Sequence, residues 1–115
     1  MTLPVPPRSA HALSATWDTE GYLCDTHTAV AFHVAEANRS DAPMVVLSTA
    51  SPFKFPRDVL AALGETAPKS DFAAMAVLTA KTGAAAPASL RELDKLPVRF
   101  NTVIEPAEIR AAALR

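Results

Sequence analysis

Two short stretches hold most of the side chains able to do chemistry. The first is Cys24-Asp25-Thr26-His27-Thr28, with His33 further on. A thiol, a carboxylate and two imidazoles are raw material for a zinc site or for a Cys–His nucleophile. His27 and His33 are separated by about 600° around a helix, so they do not share a face. A zinc site needs three or four convergent ligands, and this spacing does not supply them. Cys24 reads more simply as a small buried thiol. Asp25 through Thr28 reads as a capped helix start, since an Asp or Thr side chain accepts from the orphan backbone N–H groups there. No metal site is expected.

The second stretch is Ser48-Thr49-Ala50-Ser51-Pro52-Phe53-Lys54-Phe55. Hydroxyls at 48, 49 and 51 suit an anion or cofactor contact, or simple turn chemistry. Lys54 has no helical or charge-pair context and reads as a solvated lysine unless the loop holds a ligand. Its surroundings favour the loop as a site. The run Met44-Val45-Val46-Leu47 precedes it, with the β-branched content of a strand buried on both faces. Pro56 follows, suited to the first turn of a helix that ends near Leu63 with Gly64 as the C′ glycine. In open α/β sheets, ligands gather at the carboxyl ends of strands.

Other elements must position these two stretches. A helix is expected from about His27 to Asn38, with Val30, Val34 and Ala37 on its apolar face. Ser70 can cap a helix from Asp71 to about Lys81 that carries Phe72, Met75, Ala76 and Thr79 at helical spacing. Pro87 opens a short helix through Leu90 and Leu93. Val98 to Ile104 reads as a short strand, and Glu105 or Pro106 opens a last alanine-rich helix. Residues 1–20 hold three prolines and show no clear period. They read as a loose arm with at most a helical turn near Ser14–Asp18. The expected class is α/β: helix-rich, with one or two buried-type strands.

Composition narrows the function. The chain has 115 residues, enough for one domain, and 24 of them are alanine against seven aromatics. Such a domain buries roughly 60–70% of its unfolded surface, here with small side chains. Eleven Lys+Arg against twelve Asp+Glu leave a net charge of −1. No basic stripe is present to grip nucleic acid, and no apolar run approaches the roughly 20 residues of a membrane span. The N-terminus does not resemble a signal peptide, so a cytoplasmic protein is expected. Three isolated glycines exclude a Gly-rich phosphate cup. A single cysteine excludes an internal disulfide.

The two chemistry-bearing stretches coincide with two long motifs. Gly21-Tyr22-Leu23-Cys24-Asp25-Thr26-His27-Thr28-Ala29-Val30-Ala31 resembles the GYL-x-D-[PT]-HTAVA segment of threonine synthase. Ser48-Thr49-Ala50-Ser51-Pro52-Phe53-Lys54-Phe55-Pro56 resembles that family's [SA]TASPYKFP segment. Pro97-Val98-Arg99-Phe100-Asn101-Thr102-Val103, before an acidic helix start, resembles its C-terminal end. The likeness covers residues 21–115, the last quarter or so of a larger enzyme.

The resemblance implies part of a catalytic domain of pyridoxal-phosphate fold type II. The family converts O-phospho-L-homoserine and water to L-threonine and phosphate, a step of threonine biosynthesis. It implies that Thr49 hydrogen-bonds the pyridine nitrogen of the cofactor. A hydroxyl is too weak an acid to protonate that nitrogen, so the ring stays a neutral, milder electron sink. Ser48, Ser51, Lys54, Asp25 and His27 fall in the vicinity of the implied active site. The Schiff-base lysine and the phosphate-gripping loops lie upstream in the family, and none of Lys54, Lys69, Lys81 or Lys95 sits in that lysine's motif. The chain alone is therefore expected to be inactive and to need an N-terminal catalytic part or a partner chain. The alternative expectation is an interaction module, or a non-catalytic remnant, that self-associates or binds a partner.

Overall fold

The structure, a computed structural model, describes residues 7–114. Six α-helices occur among them: α1 (Pro7–Glu20), α2 (Thr26–Ala37), α3 (Pro56–Ala62), α4 (Asp71–Thr82), α5 (Ala88–Arg91) and α6 (Ile109–Ala113). Short 3-10 turns lie at Pro52–Lys54, Leu93–Lys95 and Pro106–Glu108.

Local chemistry sets most of the boundaries. Asp25 caps α2, accepting from the backbone amides of His27 and Thr28. Ser70 caps α4 by accepting from the Ala73 amide, and Gly83 ends that helix in the left-handed region at φ 73°. Pro56 opens α3, and Glu105 with Glu108 closes a reciprocal capping box before α6.

The core is small and lies between the first four helices. Leu13 of α1, Ala29 of α2, Val59 and Leu60 of α3, and Ala74, Met75 and Leu78 of α4 meet there, with Cys24 and Phe53 from the loops. Helix α1 packs on α2 and α3, and α3 packs on α4. Phe32, half-buried, closes one side of α2 and meets Tyr22 edge-on with ring centroids 6.1 Å apart.

Three expectations are corrected. No strand and no sheet occur among the described residues, so the chain is helical rather than α/β. Met44–Leu47 and Val98–Ile104 are irregular backbone. A strand is stable only when a neighbour completes its hydrogen-bond ladder, and neither run has one among the described residues. Val45 is 80% exposed and Phe100 86% exposed, far from the two-sided burial that the apolar runs implied.

Second, residues 7–20 are not a loose arm. They form a 14-residue helix. Alanines at 10, 12 and 15 favour it. Leu13 is wholly buried and Ser9 nearly so, which docks it. The expected turn at Ser14–Asp18 lies inside this helix, and residues 1–6 lie outside the described ones.

Third, the buried face of α2 is Thr28 and Ala29, while Val30 and Val34 stand about half-exposed. The apolar spacing had pointed to the opposite side.

The radius of gyration is 17.2 Å, against about 13 Å for a compact domain of this length. Beyond the four-helix core, residues 91–111 are exposed throughout, and Met44, Val45, Leu47, Val98, Phe100 and Val103 extend into solvent.

Candidate functional site

The two chemistry-bearing stretches are brought together. His27, in the first turn of α2, packs against Phe55, just before α3, with ring centroids 5.4 Å apart. Phe55 in turn carries the Lys54 ammonium 5.8 Å from its ring centre. Sequence reasoning singled out His27 and Lys54 but not Phe55, which links them. Its signal was its place in the second motif, beside a candidate lysine.

Asp25 organises the first stretch. Its side chain is wholly buried. One carboxylate oxygen accepts from the backbone amides of His27 at 2.8 Å and Thr28 at 3.2 Å, and lies 3.1 Å from His27 Nδ1. The other oxygen accepts from the Thr28 hydroxyl. Burial alone would raise the carboxyl pKa. The Thr28 hydroxyl, the two amides and the imidazole together outweigh it, and the group is held below the usual carboxylate range. Thr28, itself buried, is thus part of the site. The signal for it was a hydroxyl three residues after an Asp N-cap, a variant of the capping box.

The His27 side chain is 61% exposed, so the pair runs from a buried anchor to an accessible ring. Cys24, next to Asp25, is fully buried. Burial first, and the neighbouring Asp25 charge second, push its thiol up to about 11. A thiol so protonated is a poor nucleophile and a poor metal ligand. His33 lies elsewhere, lining a groove between α1 and α2 with His11, Phe32 and Glu36. No three His, Cys, Asp or Glu side chains converge on a metal position among the described residues.

The second stretch divides by role. Ser51 is half-buried, and its hydroxyl accepts from the Phe53 amide at 3.2 Å, capping the 3-10 turn. That hydroxyl is used structurally. Phe53 is buried and pins the turn to the core. Ser48, Thr49 and Lys54 are exposed. The anchored turn therefore presents two hydroxyls and an ammonium on a loop whose base is fixed.

The three glycines all have positive φ: 65° at Gly21, 77° at Gly64 and 73° at Gly83. Each lies just past a helix. The Gly21 amide closes α1 on the Trp17 carbonyl at 2.9 Å, and the Gly83 amide closes α4 on Thr79. The Gly64 amide likewise bonds back to the Ala61 carbonyl at 3.1 Å. What the surface offers is hydrogen bonding and an oriented imidazole.

No helix among the described residues is long and apolar enough to cross a membrane. No curated protein matches the chain significantly. The family model described as "Threonine synthase, C-terminal" matches residues 28–112. That span takes in most of the chain, from Thr28 of the first stretch through the whole of the second. The chain belongs to the threonine synthase C-terminal family.

Proposed function

We propose that this chain supplies one wall of a pyridoxal-phosphate-dependent threonine synthase site, acting on O-phospho-L-homoserine and water to give L-threonine and phosphate. The observation that carries the reading is the contact between His27 and Phe55, which sets both chemistry-bearing stretches on one surface.

The residues present fit one edge of the cofactor. Thr49 is exposed on a loop that Ser51 and Phe53 fix in place, and its hydroxyl suits the pyridine nitrogen as a hydrogen-bond partner. The cofactor, when bound, supplies the electron sink for the carbanion chemistry. The chain offers no glycine cup for its phosphate. Those functions fall to an N-terminal threonine synthase part that carries the Schiff-base lysine, and the chain alone is inactive. Effective catalysis needs groups from both parts held together.

The test mixes the purified chain with such an N-terminal part, pyridoxal phosphate and O-phosphohomoserine. Phosphate release by the mixture, absent from either part alone and lowered at least tenfold by Thr49→Val, is the expected result. A mixture as silent as its parts overturns the reading.

A second reading is favoured by the uncovered apolar side chains at Val45, Leu47, Val98, Phe100 and Val103. An interaction module that self-associates or binds another protein would use them. Sedimentation of a clean monomer at high concentration would count against self-association.

A further inference from the structure

We infer that Asp25 and His27 form a proton-carrying pair serving the surface that the His27 ring shares with Phe55 and Lys54. Asp25 is the positioning residue, and the exposed His27 ring is the proton carrier. The inference rests on the threonine synthase reading and adds to it a role for a residue to which the motif alone assigns none.

Capping α2 does not require the imidazole. The two backbone amides satisfy the cap, yet Nδ1 of His27 also turns to the same carboxylate oxygen at 3.1 Å. An ionised carboxylate can only accept, so Nδ1 carries the hydrogen. The lone pair of the neutral ring is then on Nε2. That tautomer is imposed by a wholly buried group on a ring that is 61% exposed.

A second, separate segment holds the ring. Phe55 packs on it with the planes inclined at 49°, and Phe55 continues the turn that fixes the Thr49 loop. The imidazole is thus clamped between the start of α2 and the start of α3. A solvated surface histidine needs neither restraint.

The chemistry is proton transfer. His27 takes a proton at Nε2 from an O–H or N–H on the substrate side, leaving that bond's electron pair with the donor. The imidazolium so formed lies beside the Asp25 carboxylate, which stays ionised and stabilises it. The proton returns from Nε2 in the reverse transfer, so the pair is unchanged over a cycle. Groups placed in this way contribute typically 10²–10⁴-fold to a rate.

The first measurement needs no turnover. Nitrogen-15 NMR of the histidine rings in the 115-residue chain should place His27 in the Nδ1–H tautomer at neutral pH. Asp25→Asn should relax that preference, with His11 and His33 unchanged as internal references. An Nε2–H tautomer for His27 overturns the inference.

The second measurement uses the chain mixed with the N-terminal part. His27→Gln should lower kcat by about 100-fold with KM little changed. Asp25→Asn should lower kcat by about tenfold. If Thr49→Val abolishes turnover while His27→Gln does not lower kcat, the enzyme reading stands and the inference falls. A change in KM alone also overturns it. A silent wild-type mixture overturns both together.

Discussion

Removing the Asp25 carboxylate should cost more than a typical surface cap. In Asp25→Ala the α2 amides of His27 and Thr28 lose their acceptor, which costs about 1 kcal/mol. The Thr28 hydroxyl, 2% exposed, loses its partner as well. A buried polar group left unpaired costs about 1–3 kcal/mol. The expected loss is about 2–4 kcal/mol, out of a total of about 6–17 kcal/mol for a chain of this length.

Thr28→Val in the Asp25→Ala background removes the orphaned hydroxyl and should recover about 1 kcal/mol or more. The pH dependence has a definite sign. The folded-state pKa of Asp25 is depressed, so the unfolded chain binds the proton more readily. The stabilisation is present above the unfolded pKa of about 3.9 and is lost as pH falls through the lower folded value. Urea denaturation followed by far-ultraviolet circular dichroism at pH 7 and pH 3 measures both effects. The gap between wild type and Asp25→Ala should narrow at pH 3. A loss below about 0.5 kcal/mol at pH 7, or a gap that does not depend on pH, would refute the account of Asp25 as a paired, buried anion.

Three further outcomes are expected. Leu13→Ala should destabilise the chain by about 2–5 kcal/mol, because Leu13 is the wholly buried anchor of α1; a neutral result by urea denaturation would mean that α1 is not docked. Cys24, with its thiol pushed up to about 11, should resist a thiol reagent at pH 8 in the folded chain and react fully in denaturant, as a colorimetric assay would report; rapid native reaction would refute its burial. Gly83→Ala should cost about 1 kcal/mol by thermal denaturation. The space around Gly83 is open, so the cost is the left-handed backbone alone, and an unchanged midpoint would mean the C-cap relaxes freely.

What was legible in the sequence divides along a physical line. Helix ends were readable because they are set by neighbours in the chain. Asp25, Ser70, Pro56 and Gly64 act within a turn of themselves, and α2, α4 and α3 begin, and α3 ends, where those residues predict; the glycine that closes α4, Gly83, was not read as its end. Strands were misread because Met44–Leu47 and Val98–Ile104 have the right residue types, while the partners that make a strand lie outside their own sequence. Helix α1 was missed for a related reason. Its period is weak, and a single leucine with a near-buried serine docks it against α2 and α3.

The candidate site shows the same division. The order Asp25, His27, Thr28 was visible as a cap, and Thr49 through Lys54 as a hydroxyl-rich loop. The motif resemblance located them in the right family. That His27 touches Phe55, and that Ser51 spends its hydroxyl on the Phe53 amide, are tertiary and local geometric facts that spacing does not contain.

The uncovered apolar side chains have a thermodynamic consequence of their own. Val45, Leu47, Val98, Phe100 and Val103 are each more than 70% exposed. Burying a side chain of this kind is worth roughly 2 kcal/mol, so an occupant that covered all five would gain on the order of 10 kcal/mol before the costs of association. That is comparable with the stability of the whole chain. Any ligand that binds only the folded form raises the unfolding free energy by mass action. Wherever such an occupant is present, a melting temperature measured on this chain depends on the occupant's concentration as well as on the chain itself.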